Sequence, residues 1–285
     1  MKRPDFRFFH RLRVRWAEVD MQKIVFNAHY LMYFDVAMTD YWRALGLPYE
    51  EAMQQLGGEV YLKKASVEFH ASAQFDDPIE AALQCTRVGN SSLLFSGAIF
   101  RDQALLVSGE LVYVFADPST QTARPVPDAL RSLLVRFEAG EAVMDMQTGD
   151  WACLGADASK LRAAVFVQEQ GIAPEMESDP VDATALHAVA YNGLGQCIAT
   201  GRLLQHASGV GKIGRMAVHR ALRGCGVGQQ VLHALMAAAK SRGDAEVMLY
   251  AQQGAQGFYQ RQGFTPRGEP FEEAGIAHIE MFRRL

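Results

Sequence analysis

The sequence predicts an α+β chain of two unlike domains, on three observations. Its 285 residues exceed the roughly 100–200 that one hydrophobic core usually serves. The first part reads as one long amphipathic helix followed by a run of strands, the pattern of an antiparallel sheet laid on a helix. Beyond a proline-rich break, the second part interleaves helices and strands and repeats nothing of the first.

The elements follow in order. Alternation over 11–16 predicts a strand. From 28 to 45, Leu31, Phe34, Met38, Trp42 and Leu45 recur at spacings of three and four, which makes one apolar stripe on a helix, and Gly46 stops it. Strands are expected over 60–70, 79–88, 92–100 and 105–115. Asp117-Pro118 and Arg124-Pro125-Val126-Pro127 then interrupt both helix and strand. A short helix over 128–137 ends near Gly140. The expected division is a first domain over 1–117, a linker over 118–141 and a second domain over 142–285. In the latter, helices are expected over 159–170, 228–241 and 255–262, with strands over 187–191, 199–204, 212–218, 247–250 and 277–282.

Composition excludes several classes. At 49% hydrophobic and 21% charged residues the chain reads as a folded, water-soluble protein rather than a disordered one. A net charge of −4 argues against a nucleic-acid partner, which needs several cations on one face. Lys2, Arg3, Arg7, Arg11, Arg13 and Arg15 do cluster, but Phe8, Leu12, Val14 and Trp16 alternate with them as on a solvated strand. Cys85, Cys153, Cys197 and Cys225 are scattered, with no disulfide framework and no metal-ligand spacing, so no metal is expected. No apolar run reaches the roughly 18 residues of a membrane span, and no signal peptide opens the chain, so a cytoplasmic protein without a membrane partner is expected.

The most informative stretch is I-G-R-M-A-V-H-R-A-L-R-G-C-G-V-G-Q-Q-V-L-H-A-L, a strand, a basic glycine-rich turn and an apolar helix. Gly224, Gly226 and Gly228 let the backbone turn tightly, and bare amides at the helix start favour phosphate, with Arg223 as a cation beside it. The spacing is neither that of the dinucleotide fingerprint nor that of a nucleotide P-loop. The segment resembles the acetyl-coenzyme A motif of the GNAT superfamily of N-acetyltransferases, Q/R-x-x-G-x-G/A, through Arg223, Gly226 and Gly228. Downstream, A-Q-G-F-Y-Q-R-Q-G-F resembles that family's A-x-x-F-Y-x-x-x-G-F. The resemblance covers nearly all of 142–285 and implies a mixed α/β GNAT domain with acetyl-CoA as cosubstrate. It implies that the turn Arg223, Gly224, Cys225, Gly226, Val227, Gly228 and Gln229 holds the pyrophosphate. It further implies that Met216, Ala217 and Val218 pair with the pantetheine arm, and that Tyr259 protonates the departing thiolate. The acceptor is an unknown amine, and Glu169, Glu177, Asp182 and His187 are candidates for binding or deprotonating it.

The second constellation is A-E-V-D-M-Q-K-I-V-F-N-A-H-Y-L-M-Y-F-D, which puts Asp20 shortly before the long helix. There a carboxylate can act as base or nucleophile on a carbonyl whose oxygen the helix-start amides polarise. The stretch resembles hotdog-fold acyl-CoA thioesterases of the 4-hydroxybenzoyl-CoA type, D-x-x-G-x-V-x-x-x-x-Y-x-x-Y/F-x-E/D. Asp20, Val25, Tyr30, Tyr33 and Asp35 fit the pattern, with Ile24 and Phe34 at its looser positions, and Lys23 replaces the family's glycine. The resemblance spans about 6–117 and implies Asp20 as catalytic carboxylate, the Asn27 amide as oxyanion donor and Tyr30 as a substrate contact. It also implies a homodimer or homotetramer through the hotdog domain. The chain is thus expected to be a bifunctional acyl-CoA enzyme, thioester hydrolase and N-acetyltransferase. The alternative is an acetyltransferase whose hotdog domain is a non-catalytic acyl-CoA sensor or dimerisation module.

Overall fold

In a computed structural model, which describes residues 1–285, the chain forms two units, Met1–Val143 and Met144–Leu285. The first contains β1 (Phe8–Arg13), α1 (Ala28–Ala44), α2 (Tyr49–Leu56), β2 (Glu59–Phe69), β3 (Pro78–Val88), β4 (Ser92–Arg101), β5 (Ala104–Ala116) and α3 (Asp128–Ala139). Its five strands run in the order β1-β3-β4-β5-β2, every neighbour antiparallel. The long helix lies close to this sheet because Gly97 and Gly109 pair across β4 and β5 directly beneath Phe34. A Cβ on Gly97 would stand 2.7 Å from the Phe34 ring, closer than packed atoms approach.

The buried face of α1 is wider than the expected stripe. Tyr30, Tyr33, Ala37 and Tyr41 join Phe34, Met38 and Trp42 in the core, whereas Leu31 lies on the flank and is exposed. The expected linker is not one. Within 118–141, α3 buries Leu130, Leu133 and Leu134, and its Glu138 accepts hydrogen bonds from the Tyr41 hydroxyl and from the Cys85 amide at 2.8 Å. The prolines end β5 and aim the chain, but the helix after them is apolar on one face and must bury it.

The second unit contains β6 (Met144–Gly149), α4 (Trp151–Arg162), a π-helical stretch (Ala163–Glu169), α5 (Pro174–Glu177), β7 (Leu186–Asn192), β8 (Cys197–Ala207), β9 (Val210–Val218), α6 (Val227–Arg242), β10 (Glu246–Gln252), α7 (Gln256–Arg261), β11 (Thr265–Glu273) and β12 (Ile276–Arg284). The strands form a seven-stranded sheet, β11-β12-β10-β9-β8-β7-β6. Successive residues of β7 face opposite sides: Ala188 and Ala190 pack with Val231 and Leu235 of α6, and Val189 packs with Leu154 and Ala158 of α4. The helix expected from 159 instead begins at Trp151, where the Asp150 side chain accepts the Cys153 amide at 2.9 Å as an N-cap. β9 and β10 are parallel, and they pair only through Val210, Gly211 and Lys212 against Glu246, Val247 and Met248. Beyond those pairs they diverge, and the sheet is split.

Candidate functional site

The split opens a cleft of about 370 Å³ in the second unit. Ile213 to Met216 of β9 line one wall, Leu249, Tyr250 and Gln252 of β10 the other, and Phe166 and Gln170 close over it from the π-helical stretch and its end. β9 bulges here: Thr200 pairs with Ala217 but Arg202 with Gly214, so Arg215 and Met216 together oppose Gly201. Arg215 takes φ +51° at the bulge. Such a bulge turns a side chain out of the regular pleat toward the gap.

The glycine-rich turn lies between β9 and α6. Gly224 and Gly226 have φ +86° and +83°, and a Cβ on either would meet nothing within 4 Å, so the dihedral rather than crowding requires glycine. At Gly228 space is tight, because a Cβ there would stand 3.0 Å from a Val218 methyl. The first intrahelical bond of α6 is Gln230 N–H to Gly226 O at 3.2 Å, which leaves the amides from Val227 to Gln229 without a partner in the helix. That concentrates partial positive charge where a diphosphate would sit. Arg223 is not the free cation expected: its guanidinium grips Glu169 at 2.5 and 2.7 Å. This pair ties the turn to the end of the π-helical stretch.

Tyr259 on α7 lines the same cleft as Met216 and Lys212. Burial pushes its phenol up to about 12, so the proton stays on at neutral pH. The three remaining acceptor candidates are taken up by the fold. Arg162, 1% exposed, holds Glu177 through Nε and Asp182 through both terminal nitrogens, at 3.1 and 2.9 Å. Arg202 Nη1 adds a third bond to Asp182 at 2.7 Å. Burial pushes the Asp182 carboxyl up, but the hydrogen bonds and charges of Arg162 and Arg202 outweigh it and hold it below the usual carboxylate range. His187 is buried and donates from Nε2 to the Asp182 carbonyl at 2.9 Å; burial lowers its basicity, which the Asp182 hydrogen bond and charge offset only in part. A buried charge needs partners, and these residues found theirs in one another. Glu177 lines the cleft beside Arg202, Lys212 and Arg215, and none of these three cations stood out in the sequence, since alternating polar residues in a strand look alike on a solvent face and on a cleft floor.

In the first unit a second cleft, of about 440 Å³, is lined by Asp20, Ile24, Val25, Phe26, Asn27, Tyr30 and Phe69. Asp20 sits in a tight turn: its Oδ1 accepts the Gln22 amide at 2.8 Å, and its carbonyl accepts the Lys23 amide at 2.9 Å. Lys23 has φ +62°, the left-handed conformation that glycine adopts freely, and its side chain is exposed. The turn therefore keeps the shape of the glycine pattern without the glycine. Asn27 caps α1, which brings the helix-start amides into the same cleft as Asp20. Tyr30 contributes its ring to the wall, but its hydroxyl accepts the Ala73 amide at 2.9 Å and so braces the loop after β2. Below Asp20, Glu18 is buried and accepts from the Tyr33 hydroxyl at 2.8 Å and the Arg15 amide at 2.7 Å. Sequence reading missed this brace, because a lone acid before Asp20 carries no pattern.

A hotdog sheet with a carboxylate beside a helix start, and a split mixed sheet with a glycine-rich helix start, define a thioesterase-type unit followed by an acyltransferase-type unit. Residues 14–134 match the thioesterase-like superfamily and residues 155–285 match the acetyltransferase (GNAT) domain. The uncharacterized N-acetyltransferase YjcF of Bacillus subtilis is 35% identical over 128 residues, 45% of this chain and 90% of that protein. A provisionally named esterase of Aquifex aeolicus is 33% identical over 95 residues, 33% of this chain and 73% of that protein. The crystal structure of Escherichia coli ElaA is 34% identical, covers 49% of this chain and 99% of its own, and superposes with a TM-score of 0.45. The chain belongs to both families, its first unit to the thioesterase-like superfamily and its second to the GNAT acetyltransferases.

Proposed function

We propose that the chain is a bifunctional enzyme of acyl-coenzyme A thioesters, an N-acetyltransferase in its second unit and a thioester hydrolase in its first. Two observations support the reading: the first-unit cleft holds both Asp20 and the start of α1, and in the second unit the strand that lines the cleft with Tyr259 runs on into the glycine-rich start of α6. In the second unit the amides from Gly224 to Gln229 bind the pyrophosphate and the open side of β9 from Met216 to Val218 receives the pantetheine arm. The acyl carbonyl then lies by Met216 and Tyr259. An amine attacks the carbonyl carbon, the C–S bond breaks, and Tyr259 delivers a proton to sulfur. No metal enters the step. In the first unit the Asn27 amide polarises the thioester carbonyl while Asp20 activates water or attacks directly, expelling the coenzyme A thiolate.

The hotdog unit is proposed to pair with a second copy, as the family resemblance implies. β2 stands at the sheet edge with one neighbour, and Leu62 and Phe69 on it are 43% and 54% exposed. An unpaired edge with apolar side chains invites another strand.

Purified protein tests both activities by release of free thiol from a panel of acyl-CoAs, with and without amines. Asp20→Asn is expected to abolish amine-independent release and to spare amine-dependent release. Tyr259→Phe is expected to lower kcat of the transfer by about 10²-fold with little change in KM, the usual scale of a positioned general acid. Saturable acyl-CoA binding to the first unit with no release would favour the sensor reading instead. Absence of heat on titration with desulfo-CoA would overturn the transferase reading.

A further inference from the structure

Acetyl transfer explains the glycine-rich turn and Tyr259, but it does not explain the cations in the cleft. Arg202, Lys212 and Arg215 sit side by side on β8 and β9, Arg202 opposite Gly214 and Leu204 opposite Lys212 across the strands. Of the carboxylates nearby, Glu177, Asp179 and Asp182 are already engaged, while Glu273, which is exposed, also lines the cleft. Glu177 is held by Arg162, and Asp182 by Arg162 and Arg202. Asp179 accepts the Val181 amide and stands 2.9 Å from Arg202 and 3.8 Å from Arg215.

After those bonds are counted, donors remain. Nε of Arg202 and Nε of Arg215 are buried and have no acceptor, and Arg202 as a residue is only 7% exposed. Lys212 Nζ rests 3.9 Å from the centroid of the Tyr250 ring rather than on a carboxylate. Buried donors without acceptors are rare in folded proteins because leaving them alone is costly. Burial and the adjacent arginines pull the Lys212 ammonium below the usual lysine range, an effect that Glu273 and Glu280 offset only in part. The same burial and the charges of Arg202 and Arg162 act on Arg215. The floor is thus short of an anion.

Resting on the transferase reading above, we infer that the acceptor is a small amine bearing a carboxylate, an amino acid or close analogue, whose carboxylate lies on Arg202, Lys212 and Arg215. Its amine then faces the thioester beside Met216 and Tyr259. Nitrogen forms a bond to the acyl carbon, the C–S bond breaks, and the proton lost by nitrogen is matched by the one gained at sulfur, giving an N-acyl amino acid and free coenzyme A thiol. Tyr250 and His278 supply a wall for an apolar side chain, and Phe271 packs against both, edge-on to Tyr250 at 4.9 Å and stacked on His278 at 6.0 Å. A polyamine would meet cations here. Planar guanidinium groups suit a carboxylate, which can take two parallel hydrogen bonds.

The test uses the full chain with acetyl-CoA and matched acceptors, phenylalanine against phenylalaninamide and glutamate against its diamide, with spermidine as the polycation, at equal free-amine concentration. Carboxylated acceptors are expected to show kcat/KM about tenfold or more above their amides, the scale of a hydrogen bond to a charged group. Arg215→Gln and Lys212→Gln are each expected to bring that ratio toward one by raising KM for the carboxylated acceptor, with desulfo-CoA affinity unchanged. Desulfo-CoA binding together with an equal or better rate for amides or spermidine overturns the inference alone. So does coenzyme-loaded protein that neither binds nor acylates any carboxylated amine. Failure to bind desulfo-CoA overturns the transferase reading itself.

Discussion

Lys23 holds a backbone conformation that costs an ordinary residue about 1–2 kcal/mol, and it does so in the turn that carries Asp20. The strain shows that the turn is held by its surroundings: the Asp20 and Ile24 backbones bond each other at 2.9 Å, and Val25 bonds Ala73 at 2.9 Å. Lys23→Gly is therefore expected to raise stability by up to about 1 kcal/mol, the relief being partly offset by the greater freedom of glycine when unfolded. The midpoint of urea unfolding checks it, and a loss exceeding that amount would show that the Lys23 side chain makes a contact of its own worth keeping. Legibility at this scale was uneven. Gly224, Gly226 and Tyr259 could be read because family-specific spacing surrounds them. The pairing of Glu177 and Asp182 with Arg162 and Arg202 could not be read, because it joins residues far apart in the chain and leaves no local trace.

Among the elements, α4 and its π-helical continuation carry the charge network that fixes the cleft floor. Arg162 at the end of α4 gathers Glu177 and Asp182, and Trp151 at its start lies under the Arg162 guanidinium at 5.3 Å. π-helical turns are uncommon and tend to occur at functional sites, and this one places Phe166 at the cleft. The network predicts a pH dependence. The folded pKa of His187 lies below its ordinary value of 6.5, so the unfolded chain takes up that proton first. Its contribution is complete above about pH 6.5 and drains away as pH falls through the folded value. Asp182, also depressed, adds a second loss below about pH 4. The melting temperature of the second unit should fall in those two stages between pH 7 and pH 3; a flat profile would contradict it. The strongly periodic helices α1 and α6 were legible. α2, α5 and β11 were not, since α2 and α5 are short and all nine residues of β11 are exposed, leaving no apolar alternation.

At the scale of the molecule, the division into two unlike units follows from length, the proline break and the switch of pattern, while the place of α3 does not. The prolines mark where β5 ends, not where the first core ends, and the buried Leu130, Leu133 and Leu134, with Glu138 bonded to Tyr41 and Cys85, assign α3 to that core. Each unit buries its own hydrophobic cluster and carries its own cleft, which is why the two proposed activities are expected to respond to separate substitutions. No helix is long and apolar enough to cross a membrane. Beyond Met248 the neighbouring strand offers β9 nothing, so half a ladder stands vacant along one margin of Ile213 to Val218. A bound thioester arm along Met216 to Val218 would then serve as a guest strand, closing part of a seam that the polypeptide leaves open. Coenzyme loading should accordingly slow amide hydrogen exchange along that margin, and the protein would be most nearly whole when it is holding its cosubstrate.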